Sequence, residues 1–307
     1  MTALRTGVVF VNFHSEELVL PRARRLLEAG FRVAVTDNSG TFPAEVGIET
    51  ITPGTNLGFA AGCNCAARHL GTEVDTLCFH NPDVEIAADD IRLLMDRLNL
   101  QASPGLISPA ESVGDRVRLN GYHYPGPIRE LAVIGNWLRR FRHGNRQQHD
   151  AGHAQAPALL TGRGRRFASA ALMVANAAAF DKVGGYDGRY FMYAEDLDLW
   201  HRVGVAGFDR TFVSDVTVRH GYAQGSPLSA ARRELYRWVG VELFAALNDE
   251  GRWPAYRFVH RACLPLLARR AGGIAASMTS LWSRGAHPEE VADRLFSEMA
   301  GGSTTEG

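Results

Sequence analysis

The first hundred residues alternate short apolar runs with segments in which apolar side chains recur every three or four positions. A short apolar run bounded by turn residues predicts a buried strand, and a longer periodic segment predicts an amphipathic helix. Their alternation with short connections is typical of a parallel sheet with helices on both faces. The predicted strands are 8–13, 33–36, 48–52, 76–80 and 105–108, and the predicted helices are 18–29, 58–70 and 89–100.

The second part of the chain is less regular. Residues 111–167 lose the alternation, and the stretch 139–166 is rich in histidine, arginine and glycine. Its histidines fit no compact ligand spacing, so a mobile loop over a site is favoured over a three-histidine metal site. Strands at 168–176 and 208–218 and helices at 177–183 and 228–248 follow. The histidines are His143, His149 and His153.

The fold class that follows is α/β, with a mostly parallel central sheet flanked by helices. Residues 1–226 are predicted to form one domain and residues 227–307 a C-terminal helical extension. Within the domain, 1–110 form a Rossmann-like nucleotide-binding half, because ligands of such sheets bind beyond the carboxyl ends of the strands. An irregular loop region at 111–167 separates it from an acceptor and catalytic half at 168–226.

The composition excludes several classes of function. With 307 residues the chain can bury a large core, and its formal net charge of zero gives no support to nucleic-acid binding. Lys182 is the only lysine and lies outside any phosphate-loop pattern, which excludes a P-loop enzyme. The four cysteines suggest reduced thiols rather than a zinc site. The N-terminus reads as a strand rather than a signal peptide, so a cytoplasmic protein is expected.

Three acidic side chains open one predicted helix in FMYAEDLDLWHR, residues 191–202. Glu195, Asp196 and Asp198 lie within one turn. Acids at a helix start also compensate the helix dipole, and Asp198 has Arg202 as an ion-pair partner four residues on. Sugar rings, however, pack on aromatic faces, and a carboxylate beside them can deprotonate a hydroxyl. The aromatic residues that precede the acids are Tyr186, Tyr190, Phe191 and Tyr193.

Polar residues follow three of the predicted strands. Asp37 ends the second strand, where its carboxylate can accept a hydrogen bond from a pyrimidine N3–H, although Asp-Asn-Ser is also common in turns. Asn81-Pro82-Asp83 follows the fourth strand, with Asn81 held extended by the proline. Such oxygen ligands bind divalent cations together with substrate phosphates. His220 follows a later strand and is either a core histidine or a nitrogen ligand to Mn²⁺ or Mg²⁺.

The segment TNLGFAAG, residues 55–62, opens a predicted helix with small and polar side chains. Backbone N–H groups at such a helix start, beside Asn56 and Gly58, suit a diphosphate or a sugar. The spacing is not that of a dinucleotide-binding loop. The alternative is an N-cap without a ligand.

The segment 252–288 contains six arginines and no acidic residue. Apolar side chains lie between the arginines, and a basic amphipathic segment of this kind can bind an anionic membrane surface. The alternative is a helix packed on the domain with its arginines in water. Peripheral contact with the inner face of the membrane is therefore left open.

In chain order, VVFVNFHSEE, VTDNS, TNLGFAAGCNCAAR, FHNPDV, ALMVANAAAFDKVGGYDGRYFMYAEDLDLWHRV and VRHGYAQGS resemble glycosyltransferase family 2. The resemblance extends over about residues 7–226 and is strongest to bacterial rhamnosyltransferase-like members. It implies a GT-A fold, a nucleotide-diphosphate sugar donor, a divalent metal (Mg²⁺ or Mn²⁺) and inversion at the anomeric carbon. SAA at 169–171 and TGRGRRF at 161–167 depart from the family near its acceptor side, so the acceptor stays open.

The resemblance also implies roles for individual residues. Asp196 matches the general base, and Glu195 the residue that orients acceptor or base. Asp83 matches the metal ligand, with His220 as a further candidate. The remaining substrate and nucleotide contacts are Asn12, Asp37, Asn56, Gly58, Asn81 and Tyr193.

The function predicted from these observations is metal-dependent, inverting transfer of a sugar from a dTDP- or UDP-sugar, with dTDP-L-rhamnose among the donors. The acceptor is the hydroxyl of a saccharide, a lipid-linked glycan or a natural product. A nucleotidyltransferase should have a glycine- and lysine-rich loop near its first strand, and this chain has none. A non-catalytic nucleotide-sugar binder and a lipid-surface scaffold are further alternatives, and a homodimer is left open.

Overall fold

The computed structural model describes residues 5–113, 116–119, 121–142, 159–161, 166–221, 229–248, 252–271 and 273–301. The predicted histidine-rich loop therefore lies mostly outside the described residues. The chain divides into two compact units. Unit 1 comprises Met1–Tyr122, Ala154–Phe191 and Glu195–Gly225, and unit 2 comprises His123–His153, Met192–Ala194 and Ser226–Gly307.

Twelve strands are present in the described ranges. They are β1 (Thr6–Asn12), β2 (Arg32–Asp37), β3 (Ile48–Ile51), β4 (Thr76–His80), β5 (Val84–Glu85), β6 (Leu106–Val113), β7 (Arg116–Leu119), β8 (Gly121–His123), β9 (Leu159–Thr161), β10 (Arg166–Ala168), β11 (Leu172–Asn176) and β12 (Arg210–His220). The helices are α1 (Glu16–Glu28), α2 (Gly58–Leu70), α3 (Ala88–Asn99), α4 (Pro127–Arg142), α5 (Ala177–Lys182), α6 (Glu195–Val205), α7 (Ala230–Asn248), α8 (Trp253–Ala271), α9 (Gly273–Ser283) and α10 (Pro288–Gly301).

The main sheet of unit 1 has the order β3-β2-β1-β4-β11-β6-β12-β5, with β7 paired to β6 and β9 to β12. Strands β1 to β4 are mutually parallel where they pair, which confirms the parallel arrangement predicted for this part of the sheet. β11 runs antiparallel between β4 and β6, so the second half of the sheet is mixed rather than parallel. Because β6 and β12 run in the same direction as β4, their carboxyl ends reach the same edge.

The centre of the sheet is buried on both faces. β1 and β4 are buried along their whole length, as expected for continuous apolar strands between two helical layers. The core on one face contains Phe10, Val33 and Leu94 with other side chains from α1, α3 and the strands. Each such side chain contributes about 1.5–3 kcal/mol by leaving water. The α/β fold predicted from the sequence is confirmed.

The region predicted to be irregular, residues 111–167, contains regular structure where it is described. β6 continues to Val113 and folds back into β7, α4 spans Pro127–Arg142, and β9 joins the main sheet. β8 pairs with β10 in a separate two-stranded sheet. Sequence periodicity missed these strands because each has only three or four residues, apart from the end of β6.

Unit 2 is helical, as predicted for the end of the chain, and it also includes α4. Trp238 and Trp282 are buried in it. Arg257 is buried and donates to Glu242 and to the carbonyl of Ala286, so it does not face a membrane surface as the amphipathic segment had suggested. Within the described ranges, every helix is too short or too polar to cross a bilayer.

Candidate active site

One edge of the main sheet collects most of the predicted site residues of unit 1. Asn12 and Asp37 are direct partners at the carboxyl ends of β1 and β2. β4 ends at His80 beside the start of β11, and Asn81 donates its backbone N–H to the carbonyl of Ala171 at 2.9 Å. The residue before Ala171, Ala170, donates its N–H to Asp196 Oδ2 at 3.2 Å. Consecutive residues of one short segment thus hold Asn81 and Asp196.

Asp37 anchors the loop that follows β2. Its Oδ1 accepts hydrogen bonds from Asn12 Nδ2 at 2.9 Å and from the Ser39 hydroxyl at 2.8 Å, and its Oδ2 accepts from the Phe42 N–H at 2.8 Å. Only 1% of Asp37 is exposed. Burial raises its pKa, but these hydrogen bonds outweigh that effect and lower it. The structure therefore places Asp37 and Asn12 beneath the loop, where Asp37 is hydrogen-bonded to Asn12, Ser39 and Phe42.

The start of α2 is already bonded within the protein. Asn38 accepts the Leu57 N–H at 3.2 Å and donates to the Gly58 carbonyl at 3.0 Å. Asn56 Oδ1 accepts the Gly58 N–H at 3.0 Å, and the Phe59 N–H donates to the Phe191 carbonyl at 2.7 Å. The prediction that these N–H groups bind a diphosphate is therefore corrected: they join the loop after β2 to the segment before α6.

Gly58 is required for this junction. Its φ is +77°, and a Cβ there would lie 2.7 Å from Phe191 Cδ2 and overlap the Phe191 carbonyl oxygen. We expect Gly58→Ala to lower the free energy of unfolding by about 1–3 kcal/mol, measured by urea denaturation. Gly54→Ala is the matched control, since its φ is +81° but no atom lies within 4 Å of the added Cβ. Equal losses in the two variants would show that the packing against Phe191 is unimportant.

The segment before α6 is held from α2 by a second side chain. Asn64 donates to the Tyr186 carbonyl at 2.7 Å and accepts the Tyr186 N–H at 2.9 Å. Tyr186 is buried and lies edge-on to Phe79 with ring centroids 5.1 Å apart. It therefore belongs to the core and is not a sugar-stacking surface. The predicted contact Tyr193 belongs to unit 2, where its φ is +68° and its carbonyl lies against Gly240.

The three acids of α6 have different surroundings. Asp198 is buried and pairs with Arg202, whose Nε donates to Asp198 Oδ2 at 2.6 Å. Arg202 also donates to the Val183 and Gly185 carbonyls, so this pair fastens the preceding loop. The structure thus confirms the ion pair anticipated from the sequence spacing. Asp198 therefore has a structural role, and Glu195 and Asp196 remain as the candidate catalytic carboxyl groups.

Asp196 is oriented by two backbone donors. Its Oδ1 accepts the Leu197 N–H at 2.8 Å, and its Oδ2 accepts the Ala170 N–H at 3.2 Å. Removal from water raises its pKa, and the backbone hydrogen bonds oppose this, with a net value of about 6. Each oxygen keeps a further lone pair, so Asp196 can accept a proton while it stays in place.

Glu195 is a buried neighbour of Asp196 with 7% exposure. Burial raises its pKa well above the ordinary value, and the adjacent Asp196 charge raises it further. Its Oε2 has no hydrogen-bond partner among the described residues. Glu195 and Asp196 are thus two adjacent carboxyl groups with raised pKa values at one helix start.

Asp83 and His220 meet where β5 pairs with the end of β12. His220 is the partner of Val84, and the Gly221 N–H donates to the Asp83 carbonyl at 2.8 Å. His220 Nε2 lies 3.3 Å from Asp83 Oδ1, and Nδ1 lies 3.1 Å from Glu111 Oε1. Burial lowers the pKa of His220, but the two carboxylates outweigh it and raise it to about 9.

These residues can serve as ligands for a divalent cation. A separation of 3.3 Å between Asp83 Oδ1 and His220 Nε2 allows both atoms to bind one ion. Asn81 Oδ1 is buried without a hydrogen-bond partner in the described ranges, so an amide oxygen is available at the same strand end. No complete group of three histidine, cysteine or acidic ligands occurs among the described residues. The diphosphate of a substrate would have to supply the remaining ligands, as in many Mg²⁺ sites.

Sequence reasoning missed two residues of this region. Glu111 lies inside β6, where a single carboxylate in ISPAESV matches no motif. Asn38 appeared only as part of a turn, although its side chain fixes the start of α2. The signal for both was a polar side chain in or directly after a strand. Such side chains are too common to identify a functional residue by themselves.

No family model matches the chain. Its curated relatives include the N-acetylglucosaminyl-diphospho-decaprenol L-rhamnosyltransferases of two strains of Mycobacterium tuberculosis, CDC 1551 / Oshkosh and ATCC 25618 / H37Rv. Each is 27% identical over 232 residues, which is 71% of this chain and 74% of the relative. The resemblance to rhamnosyltransferases predicted from the sequence is confirmed.

The solved structure of GalNAc-T7 shows the same fold. The structure of GalNAc-T7 with UDP, GalNAc and Mn²⁺ matches with a TM-score of 0.50 at 13% identity, over 96% of this chain and 58% of that one. The mannosyltransferase PcManGT from Pyrobaculum calidifontis, in complex with GDP-Man and Mn²⁺, gives a TM-score of 0.49 at 12% identity, over 96% of this chain and 84% of that one. The fold of this chain is the GT-A fold of glycosyltransferases.

Proposed function

We propose that this protein, with its GT-A fold and its rhamnosyltransferase relatives, is an inverting glycosyltransferase of family 2 that uses a nucleotide-diphosphate sugar. The observation that carries the proposal is Asp196. Two backbone amides orient its carboxylate and its surroundings raise its pKa to about 6, at the sheet edge where Asp83 and His220 meet. A carboxylate with such a pKa is ionised at neutral pH and remains basic enough to accept a proton.

In this mechanism Asp196 accepts the proton of the acceptor hydroxyl as that oxygen attacks the anomeric carbon. Asn81, Asp83 and His220 would hold the divalent cation, which when bound neutralises the charge of the diphosphate leaving group. Glu195, buried beside the base with a raised pKa, orients the acceptor or Asp196. One base and one displacement imply inversion, and the transition state resembles an oxocarbenium ion as in glycoside hydrolysis.

The substrates are proposed from the relatives. Those proteins are named as L-rhamnosyltransferases that act on N-acetylglucosaminyl-diphospho-decaprenol. A dTDP-L-rhamnose donor and a polyprenyl-diphosphate-linked sugar acceptor are therefore the first pair to test. A UDP-sugar donor and a saccharide or natural-product acceptor are the second. Mn²⁺ is preferred as the test ion because the solved GalNAc-T7 contains it.

The test incubates the purified chain with dTDP-, UDP- and GDP-sugars and acceptors, with Mn²⁺ or with EDTA, and identifies the products. Metal-dependent release of a nucleoside diphosphate with an inverted glycoside is the expected result. Release of a sugar 1-phosphate, with transfer of the nucleoside monophosphate, would identify a nucleotidyltransferase instead. Stabilisation by one nucleotide-sugar without turnover would identify a non-catalytic binder, and retention at the anomeric carbon would exclude the single displacement.

A further inference from the structure

Glu111 is a buried acid that the mechanism above does not use. It lies in β6 with 1% exposure, and β7 folds back so that Arg118 is its direct cross-strand partner. Arg118 Nε donates to Glu111 Oε2 at 2.8 Å. Strand β12 runs alongside β6 with Val218 opposite Glu111, which brings His220 to the other carboxylate oxygen. Glu111 is thus fixed from one side and faces the imidazole on the other.

The imidazole is held by its Nδ1 atom. Glu111 Oε1 lies 3.1 Å from His220 Nδ1, and Arg118 Nε donates to the other oxygen of the same carboxylate at 2.8 Å, so Glu111 forms an ion pair with Arg118. An ionised carboxylate can only accept, so Nδ1 must carry the hydrogen. In the neutral imidazole the lone pair is then on Nε2, the atom directed at Asp83.

We propose that Glu111 is a positioning residue that fixes the tautomer and ring orientation of His220 so that Nε2 can bind the divalent cation with Asp83. This inference rests on the proposed function, because it concerns the cation of the nucleotide-sugar site. A carboxylate that accepts the second ring N–H of a metal-binding histidine typically contributes a factor of roughly 10–100 to metal affinity.

The chain contains an internal control for this arrangement. In unit 2, Glu242 accepts hydrogen bonds from His260 Nδ1 at 2.8 Å and from Arg257 Nε at 2.9 Å. Only 1% of Glu242 is exposed. Like Glu111, Glu242 is a buried glutamate bonded to one arginine and to Nδ1 of one histidine. In this case, however, His260 Nε2 faces Glu130 and His260 is fully buried. Removing either glutamate takes one carboxylate away from an arginine and from a histidine, and each histidine keeps a second carboxylate, Asp83 or Glu130. Only Glu111 acts on a histidine of the candidate metal site.

The experiment measures Mn²⁺ binding by the electron paramagnetic resonance signal of the free ion, with the full chain and UDP or dTDP present. We expect Glu111→Gln to weaken Mn²⁺ binding roughly 10- to 100-fold, and Glu242→Gln to leave it unchanged. His220→Ala and the double variant Glu111→Gln/His220→Ala complete a cycle. If Glu111 acts through His220, the double variant binds Mn²⁺ as His220→Ala does. If Glu111→Gln is poorly folded, His220→Ala still tests the inference, because unchanged Mn²⁺ affinity in that variant would show that His220 does not bind the ion.

Three results would overturn the inference. Unchanged Mn²⁺ affinity in Glu111→Gln would show that His220 needs no such support, and additive losses in the double variant would show that Glu111 acts only through its charge. Absence of Mn²⁺ binding by the unmodified chain would also overturn it. Sugar transfer in EDTA then distinguishes a metal-independent glycosyltransferase from failure of the proposed function itself.

Discussion

Asp196→Asn is expected to lower kcat for sugar transfer by roughly 100- to 10,000-fold, the range of a general base. The amide occupies the same volume but cannot take the proton of the acceptor hydroxyl. One of the two backbone hydrogen bonds to Asp196 is also lost, because the amide has a single acceptor oxygen. Steady-state kinetics with saturating donor, together with isothermal titration of the donor, would measure the effect, and donor affinity should be unchanged.

Asp198→Asn is the matched control for this variant. It removes a charge from the same helical turn, but Asp198 pairs with Arg202 and fastens the loop before α6. We therefore expect a lower free energy of unfolding with kcat changed by only a few-fold. If Asp196→Asn kept the activity of the unmodified protein, or if both variants lost activity equally, Asp196 would not be the base.

Arg237→Leu is expected to destabilise the protein by about 3–5 kcal/mol, the usual cost of leaving a buried charge without its partner. Arg237 bonds to Glu130 and Glu234, and Glu130 is 2% exposed. Burial raises the pKa of Glu130, but the Arg237 charge and then His260 outweigh it and lower it to about 2. The lowered pKa of Glu130 contributes stability that is present above its ordinary value of 4.5 and is lost as the pH falls toward 2, so the deficit of Arg237→Leu should shrink between pH 4.5 and pH 2.

Urea denaturation followed by tryptophan fluorescence would measure this effect, since Trp238 Nε1 donates to Glu234 in the same cluster. Arg284→Leu is the control, because Arg284 and its partner Glu290 are mostly exposed and such pairs contribute about 0–1 kcal/mol. Equal effects of the two substitutions would show that the buried cluster does not stabilise the protein. A deficit that grows as the pH falls below 4.5 would contradict the role assigned to Glu130.

The parallel half of the sheet and the acidic helix were predictable because their signals are local. Residues 58–70 and 76–80 were predicted with the bounds that the structure has. The acids of α6 were found because three carboxylates lie within one turn, opposite apolar side chains. Such a local cluster can be recognised as a candidate site from the sequence alone. The antiparallel insertion of β11 was not predictable, since nothing in its apolar sequence encodes which strands it pairs with.

Residues whose roles depend on partners far away in the sequence could not be identified from local patterns. Glu111 gains its role from β7, a few residues on, and from His220, 109 positions away. Arg257 was read as part of a basic surface because its segment contains no acid, yet its partner Glu242 lies 15 residues earlier. A buried charge is recognisable only with its partner, and the partner is set by the tertiary fold.

The central claim, that the ionised Asp196 drives transfer, is tested most directly by the pH dependence of kcat/KM in the unmodified protein. Because the pKa of Asp196 is raised to about 6 and only its ionised form accepts a proton, activity should be constant above that value. Below it, activity should fall tenfold per pH unit. A fall centred near pH 6 that is absent from the residual activity of Asp196→Asn is the predicted result. A profile that stays flat down to pH 4.5, with the donor still bound, would contradict it.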